Sequence, residues 1–153
     1  MPQFAIEPNS GVGPIRLGMT RQQVHDAIAS YPGNQLDQAS HPTLDYAFGN
    51  SLQIEYSPDG LAQFIGIGYY TGCGCDYVLR GRHIGDFSAT ELFAALAELD
   101  GDSKQQYEPN EFYFRNVRMT VWEADTQYDY RHGETRPVYG QVGVASSLYE
   151  ADN

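Results

Sequence analysis

The side chains able to do chemistry in this chain are few and scattered. Cys73-Gly74-Cys75 holds both cysteines. A C-x-C pair can ligate metal, but a structural zinc site needs four ligands, and no second such pair exists. His83 lies eight residues beyond Cys75. A disulfide across one intervening residue is strained, and a reducing compartment disfavours it. Three readings therefore stand: two thiols in a turn, a redox-sensitive pair, or a partial ligand set. His25, His41, His83 and His132 lack the H-E-x-x-H spacing that puts two imidazoles on one helix face. They read as surface or half-buried histidines. No serine has a nucleophile-elbow context, and no Walker loop is present. Gly11-Val12-Gly13 faintly echoes a dinucleotide turn but lacks the third glycine in place. Asp100/Asp102 and Glu123/Asp125 have the chemistry of acid–base pairs but read as solvated acids. The expectation is a protein that is not an enzyme and has no metal or cofactor.

Composition is open to two readings, recognition or solubility alone. Twenty acidic residues against nine basic ones give a formal charge of −11. That field repels nucleic acid and anionic membranes and attracts a basic partner. Twelve tyrosines and one tryptophan favour contact surfaces as much as sheet packing. The opening Met-Pro-Gln-Phe-Ala-Ile-Glu-Pro has neither the basic region nor the apolar stretch of a secretory leader. No window is long enough to span a bilayer. The expected location is cytoplasmic; a leader removed beforehand would leave no trace.

The elements that must position these residues come from an internal repeat. Gly13 to Val24 lies over Gly81 to Leu92 at a spacing of 68 residues, Thr20 falling on Ser88. Each segment opens a helix with the same devices. Thr20/Gln23 and Ser88/Glu91 have capping-box spacing, and Met19/Val24 and Phe87/Leu92 have staple spacing. Val24, Ala27, Ile28 and Tyr31 form one apolar stripe; Leu92, Ala95, Leu96 and Leu99 form the other. Pro32-Gly33 and Gly101 end the two helices.

After each helix the period changes from 3.6 to 2. Leu44–Phe48, a Gly49-Asn50 turn and Ser51–Tyr56 read as a hairpin, as do Glu111–Phe114, Arg115-Asn116 and Val117–Trp122. Ser57-Pro58-Asp59-Gly60 has type I turn chemistry. It leads to a third strand, Leu61–Tyr70, whose Phe64–Gly68 matches Gln141–Ala145. Small residues at alternate positions of both strands suggest close approach by a helix. Between Trp122 and Val138 the second half carries a polar insertion, Glu123–Pro137, rich in Tyr, Asp and Arg. The halves are bounded as 1–72 and 77–153, with a linker at 73–76. Each is small to bury a core alone.

The stretch Gly13-Pro14-Ile15-Arg16-Leu17-Gly18-Met19-Thr20-Arg21-Gln22-Gln23-Val24 resembles the opening of small bacterial α/β proteins. These share the helix-then-sheet unit of the β-lactamase inhibitor protein and of the SmpA/OmlA outer-membrane assembly lipoproteins. Gly18-Met19-Thr20 with Val24 carries the likeness over about a dozen residues; Gly85-Asp86-Phe87-Ser88 with Leu92 is a weaker second instance. The tandem arrangement resembles the inhibitor protein, which implies two α+β units sharing one concave sheet. The lipobox cysteine of the lipoproteins and the paired disulfides of the inhibitor are missing. Compact acidic proteins with this unit also resemble bacterial toxin immunity proteins, which implies a non-enzymatic module that masks a basic protein such as a toxin nuclease. The expected partner-binding residues are Tyr46, Glu55, Tyr69, Tyr113, Trp122, Tyr128, Asp129 and Tyr130, with alternation placing some of them on a helix-covered face. The competing expectations are a small-ligand or enzymatic cleft between the halves, and an envelope scaffold.

Overall fold

The structure is a computed structural model that describes residues 2–33, 35–37, 41–68, 75–122, 128–131 and 134–146. The chain forms a small α+β protein, mostly strands. In chain order, β1 (Gln3–Glu7), β2 (Gly11–Val12) and β3 (Ile15–Arg16) precede α1 (Arg21–Ala29). Then follow β4 (Leu36–Asp37), β5 (Leu44–Ala47), β6 (Leu52–Tyr56) and β7 (Ala62–Gly68). The second half begins with β8 (Asp76–Leu79), β9 (Arg82–His83), a 3-10 turn at Ile84–Asp86, and α2 (Ala89–Leu99). It continues with β10 (Glu111–Phe114), β11 (Met119–Trp122), β12 (Tyr128–Arg131), β13 (Glu134–Pro137) and β14 (Gln141–Ala145).

Both helices start where their caps require. The Thr20 hydroxyl accepts from the Gln23 N–H while the Gln23 side chain accepts from the Thr20 N–H; Ser88 and Glu91 do the same. Each reciprocal pair satisfies two backbone donors that the helix cannot. Helix α2 closes with Gly101 at φ 87°, its N–H donating to Glu98 while Asp102 donates to Ala97. That double closure needs a left-handed residue, the role glycine fills without strain. The buried face of α2 is Ala89, Leu92, Phe93, Leu96 and Ala97. It is therefore rotated from the expected stripe, leaving Ala95 and Leu99 at its margin. In α1 the buried pair is Val24 and Ile28.

Two main sheets contribute side chains to this core. The smaller has the order β3-β2-β1-β8-β9, with β1 parallel to β8. The larger has the order β10-β11-β14-β7-β6-β5-β4, antiparallel throughout. Its centre is the β7–β14 pair, where Gly66 stands opposite Gly143 and Phe64 opposite Ala145. On either side the pattern recurs: Ile54 faces Ile65 while Val121 faces Val142, and Asp45 faces Ile54 while Phe112 faces Val121. Side chains from both halves, including Val24, Ile28, Ile54, Ile65, Phe93, Leu96, Val121 and Val144, form one apolar cluster.

Several expectations need correction. Asp76, placed in the linker, opens β8, and Cys75 just before it is buried; residues 71–74, including Cys73, lie outside the described residues. The turn after β10 runs through Arg118, which adopts φ 52°, so β11 begins at Met119 rather than Val117. Gly66 and Gly143 are approached by strand side chains rather than by a helix. A methyl on Gly143 would lie 2.3 Å from the Phe64 ring and 2.5 Å from the Thr120 hydroxyl. One on Gly66 would lie 2.6 Å from the Gln141 side chain. The side chain two residues before each glycine thus lies over the glycine of the other strand.

Candidate binding face and a buried carboxylate

Strand alternation sorts the larger sheet into two faces. Asp45, Ala47, Leu52, Ile54, Tyr56, Ile65, Ile67, Met119, Val121, Val142 and Val144 are buried on the core face. The other face carries a cross-strand row read directly from the pairing: Asp37, Tyr46, Gln53, Gly66, Gly143, Thr120 and Tyr113. Leu44, Glu55, Phe64 and Ala145 form the row on one side of it. Gly68, Gln141, Trp122 and Glu111 form the row on the other. The two glycines at the centre of the first row are covered by the side chains of Phe64 and Gln141, and Phe64 and Ala145 are themselves buried.

Four of the expected contact residues, Tyr46, Glu55, Tyr113 and Trp122, therefore share one face of one sheet. Trp122 is 46% exposed, an unusual state for an indole. Tyr46, Glu55 and Tyr113 are partly exposed. Glu55 stands between Leu44 and Phe64 in its row, and burial pushes its carboxyl above the ordinary value. The Arg115 guanidinium lies 6.0 Å from the centroid of the Tyr113 ring. The face thus has carboxylates at Asp37, Glu55 and Glu111, and a cation, Arg115, beside Tyr113.

The remaining candidates fall elsewhere. Tyr69 lies outside the described residues. Tyr128, Asp129 and Tyr130 form β12, which pairs with β13 as a separate two-stranded sheet. Asp129 stands opposite Arg136 and Arg131 opposite Glu134 in that backbone register. The insertion leaves the larger sheet beyond Trp122 and returns at Gln141, which stand opposite each other.

The most elaborate polar cluster was not among the expected sites. Asp45 is 3% exposed, on the core face. Its Oδ1 accepts from Arg21 Nη2 at 2.8 Å, and its Oδ2 lies 3.2 Å from Arg21 Nε. The Tyr56 hydroxyl donates to Oδ2 at 2.7 Å, and His25 Nε2 lies 2.7 Å from the same oxygen. Arg21 also donates to the carbonyls of His41, Pro42 and Leu44, and sits 5.1 Å over the Tyr56 ring. Burial alone would raise the Asp45 carboxyl, but the bonds from Arg21, Tyr56 and His25 outweigh it and hold it below its ordinary value. Burial and the adjacent carboxylate push the Tyr56 hydroxyl well upward.

The second half has a different solution at the matching places. Phe93 follows Ser88 by the same five positions as His25 follows Thr20, and Phe112 occupies in β10 the place of Asp45 in β5. There, Phe93, Phe112 and Phe114 pack with ring centroids 4.7–5.0 Å apart. A charged cluster and an aromatic one thus serve the same helix-to-hairpin joint. Alternation could place Asp45 on a face but could not say which face, and four partners from α1, β5 and β6 meet only in three dimensions.

Elsewhere, Ser51 Oγ lies 2.7 Å from the Tyr77 hydroxyl and 3.6 Å from the Cys75 sulfur, all buried. His83 pairs with Asp76 across β8 and β9. Ile67, Ile84, Phe87, Leu92, Val138, Tyr139 and Val142 line a small apolar depression between the halves. Among the described residues, no group of three or more His, Cys, Asp or Glu is placed to hold a metal ion. No helix among them is long and apolar enough to cross a membrane. No family model, curated protein or solved structure matches this chain.

Proposed function

We propose that this chain is a non-enzymatic protein-binding module whose sheet face masks a basic protein, in the manner of an immunity protein. The two halves are read as copies of one α+β unit, as in the β-lactamase inhibitor protein, with the β7–β14 pair at their junction. The observation that carries the reading is the common placement of Tyr46, Glu55, Tyr113 and Trp122 on the face opposite the core. Exposed aromatic side chains supply much of the affinity at protein interfaces. The charge of −11 would accelerate capture of a basic partner and suppress acidic ones. Glu55, held among apolar neighbours, suits a partner lysine or arginine that restores its charged form.

The test is affinity capture with the intact chain, followed by identification and kinetics on the recovered protein. A basic partner is expected, bound at least about tenfold more weakly by Trp122→Ala or Tyr46→Ala. Its association rate is expected to fall as salt is raised. Recovery of acidic proteins alone, or of a partner indifferent to both variants and to salt, would overturn the reading.

A further inference from the structure

The larger sheet repeats its pairing about its central strands. Strands β7 and β14 run antiparallel with Gly66 opposite Gly143. A half-turn about an axis through that pair, normal to the sheet, exchanges the two strands and keeps each face on its own side. The registers carry β6 onto β11 and β5 onto β10. Tyr46 then falls on Tyr113, Gln53 on Thr120 and Gly66 on Gly143. Glu55, opposite Phe64, falls on Trp122, opposite Gln141. The tyrosines and glycines of the face are thus repeated, whereas Glu55 and Trp122 hold equivalent points with different chemistry.

Burial raises the Glu55 carboxyl, and among the described residues no cation or hydrogen-bond donor lies against it. A carboxylate partly withdrawn from water without a partner carries a desolvation cost that an incoming ammonium or guanidinium offsets. Leu44, partly exposed opposite it, suits the methylenes of such a side chain. Trp122 is exposed and offers an indole to an apolar contact. The two points lie three strand spacings apart across the sheet, about 14 Å, and four residues apart along it, about 13 Å. The diagonal is about 20 Å, which about six residues of extended chain cover.

We propose that Glu55 and Trp122 are the two specificity-determining points of this face. It takes a basic protein segment that presents a lysine or arginine to Glu55 and an apolar side chain to Trp122, about 20 Å away. Because the equivalent points differ, only one of the two docking directions that the repeated frame offers matches both. A segment carrying two cations, or two apolar groups, fills one point and leaves the other unmatched. The inference rests on the proposed capture of a basic partner by this face, and adds what that partner must carry and which way it lies.

Selection against the intact chain from a random phage-displayed library, its peptides about twelve residues long so that they span both points, tests it. The enriched peptides are expected to share a basic and an apolar residue separated by about five others. Binding of the synthetic peptides, followed by fluorescence anisotropy, is expected to weaken about tenfold or more with Glu55→Gln and with Trp122→Ala. Replacing the peptide's basic residue by glutamine is expected to weaken binding to the unaltered chain and to remove the sensitivity to Glu55→Gln, because the two groups are in contact. Far-UV circular dichroism checks that the variants are folded, and the altered peptides carry the test on the unaltered chain. Peptides weakened by Tyr46→Ala or Trp122→Ala but indifferent to Glu55→Gln overturn the two-point claim and leave the face as a binding surface. Peptides indifferent to all three variants overturn the use of the face, and this inference with it. A library that yields no common sequence also overturns the inference.

Discussion

Removing the Asp45 carboxylate should cost more than any surface substitution in this protein. Asp45→Ala takes away one acceptor group from four donors: Arg21 Nε and Nη2, the Tyr56 hydroxyl and His25 Nε2. Arg21 keeps its three carbonyl partners and is partly solvated, so its loss is incomplete. Tyr56 is 5% exposed and is left with a buried hydroxyl lacking its acceptor. Breaking a buried ion pair from one side typically costs about 3–5 kcal/mol. For a chain of this size that lowers the melting temperature by roughly 6–20 °C. Urea unfolding followed by circular dichroism measures the loss. The pH dependence gives a second signature. The Asp45 carboxyl is held below its ordinary value in the folded state, so its contribution is complete above about pH 4. It fades as pH falls through the depressed folded value, and the variant should lack that part of the acid limb. The second half supplies a third check. Replacing Arg21, His25, Asp45 and Tyr56 together by Ala, Phe, Phe and Phe mimics the aromatic joint around Phe93, Phe112 and Phe114. That variant should be more stable than Asp45→Ala alone by about 2 kcal/mol, because no buried polar side chain is left unpaired. A loss below about 1 kcal/mol for Asp45→Ala, with an unchanged acid limb, would refute the reasoning.

Three further outcomes follow from the geometry. Gly143→Ala forces a methyl against Phe64 and Thr120 and should destabilise by about 1–3 kcal/mol in chemical denaturation; adding Phe64→Leu should recover part of it. Thr20→Ala and Ser88→Ala each remove a cap and should each cost about 1 kcal/mol, with effects that add because the caps sit on separate helices. Binding of a basic partner should strengthen as pH rises through the titration of Glu55, which lies above the ordinary glutamate value, and Glu55→Gln should abolish that dependence in a titration calorimeter.

What the amino-acid order determined by itself was local. Thr20 with Gln23 and Ser88 with Glu91 specify helix starts through bonds spanning three residues, and the structure realises both. The hairpins around Gly49-Asn50 and after Phe114 follow from strand alternation and turn chemistry, although both turns, Phe48 to Ser51 and Arg115 to Arg118, run two residues longer than their letters suggest. Alternation also sorted Tyr46 from Asp45, Glu55 from Ile54 and Tyr113 from Phe112, but only as relative parity. Which parity faces the core depends on where α1 and α2 dock, and that is decided by burial across the whole chain. The tertiary fold alone brought Arg21, His25, Asp45 and Tyr56 to one point and set Gly66 against Gly143. Those encounters join segments distant in sequence. Their energy comes from removing apolar surface and paired charge from water together, which no local pattern of residues records.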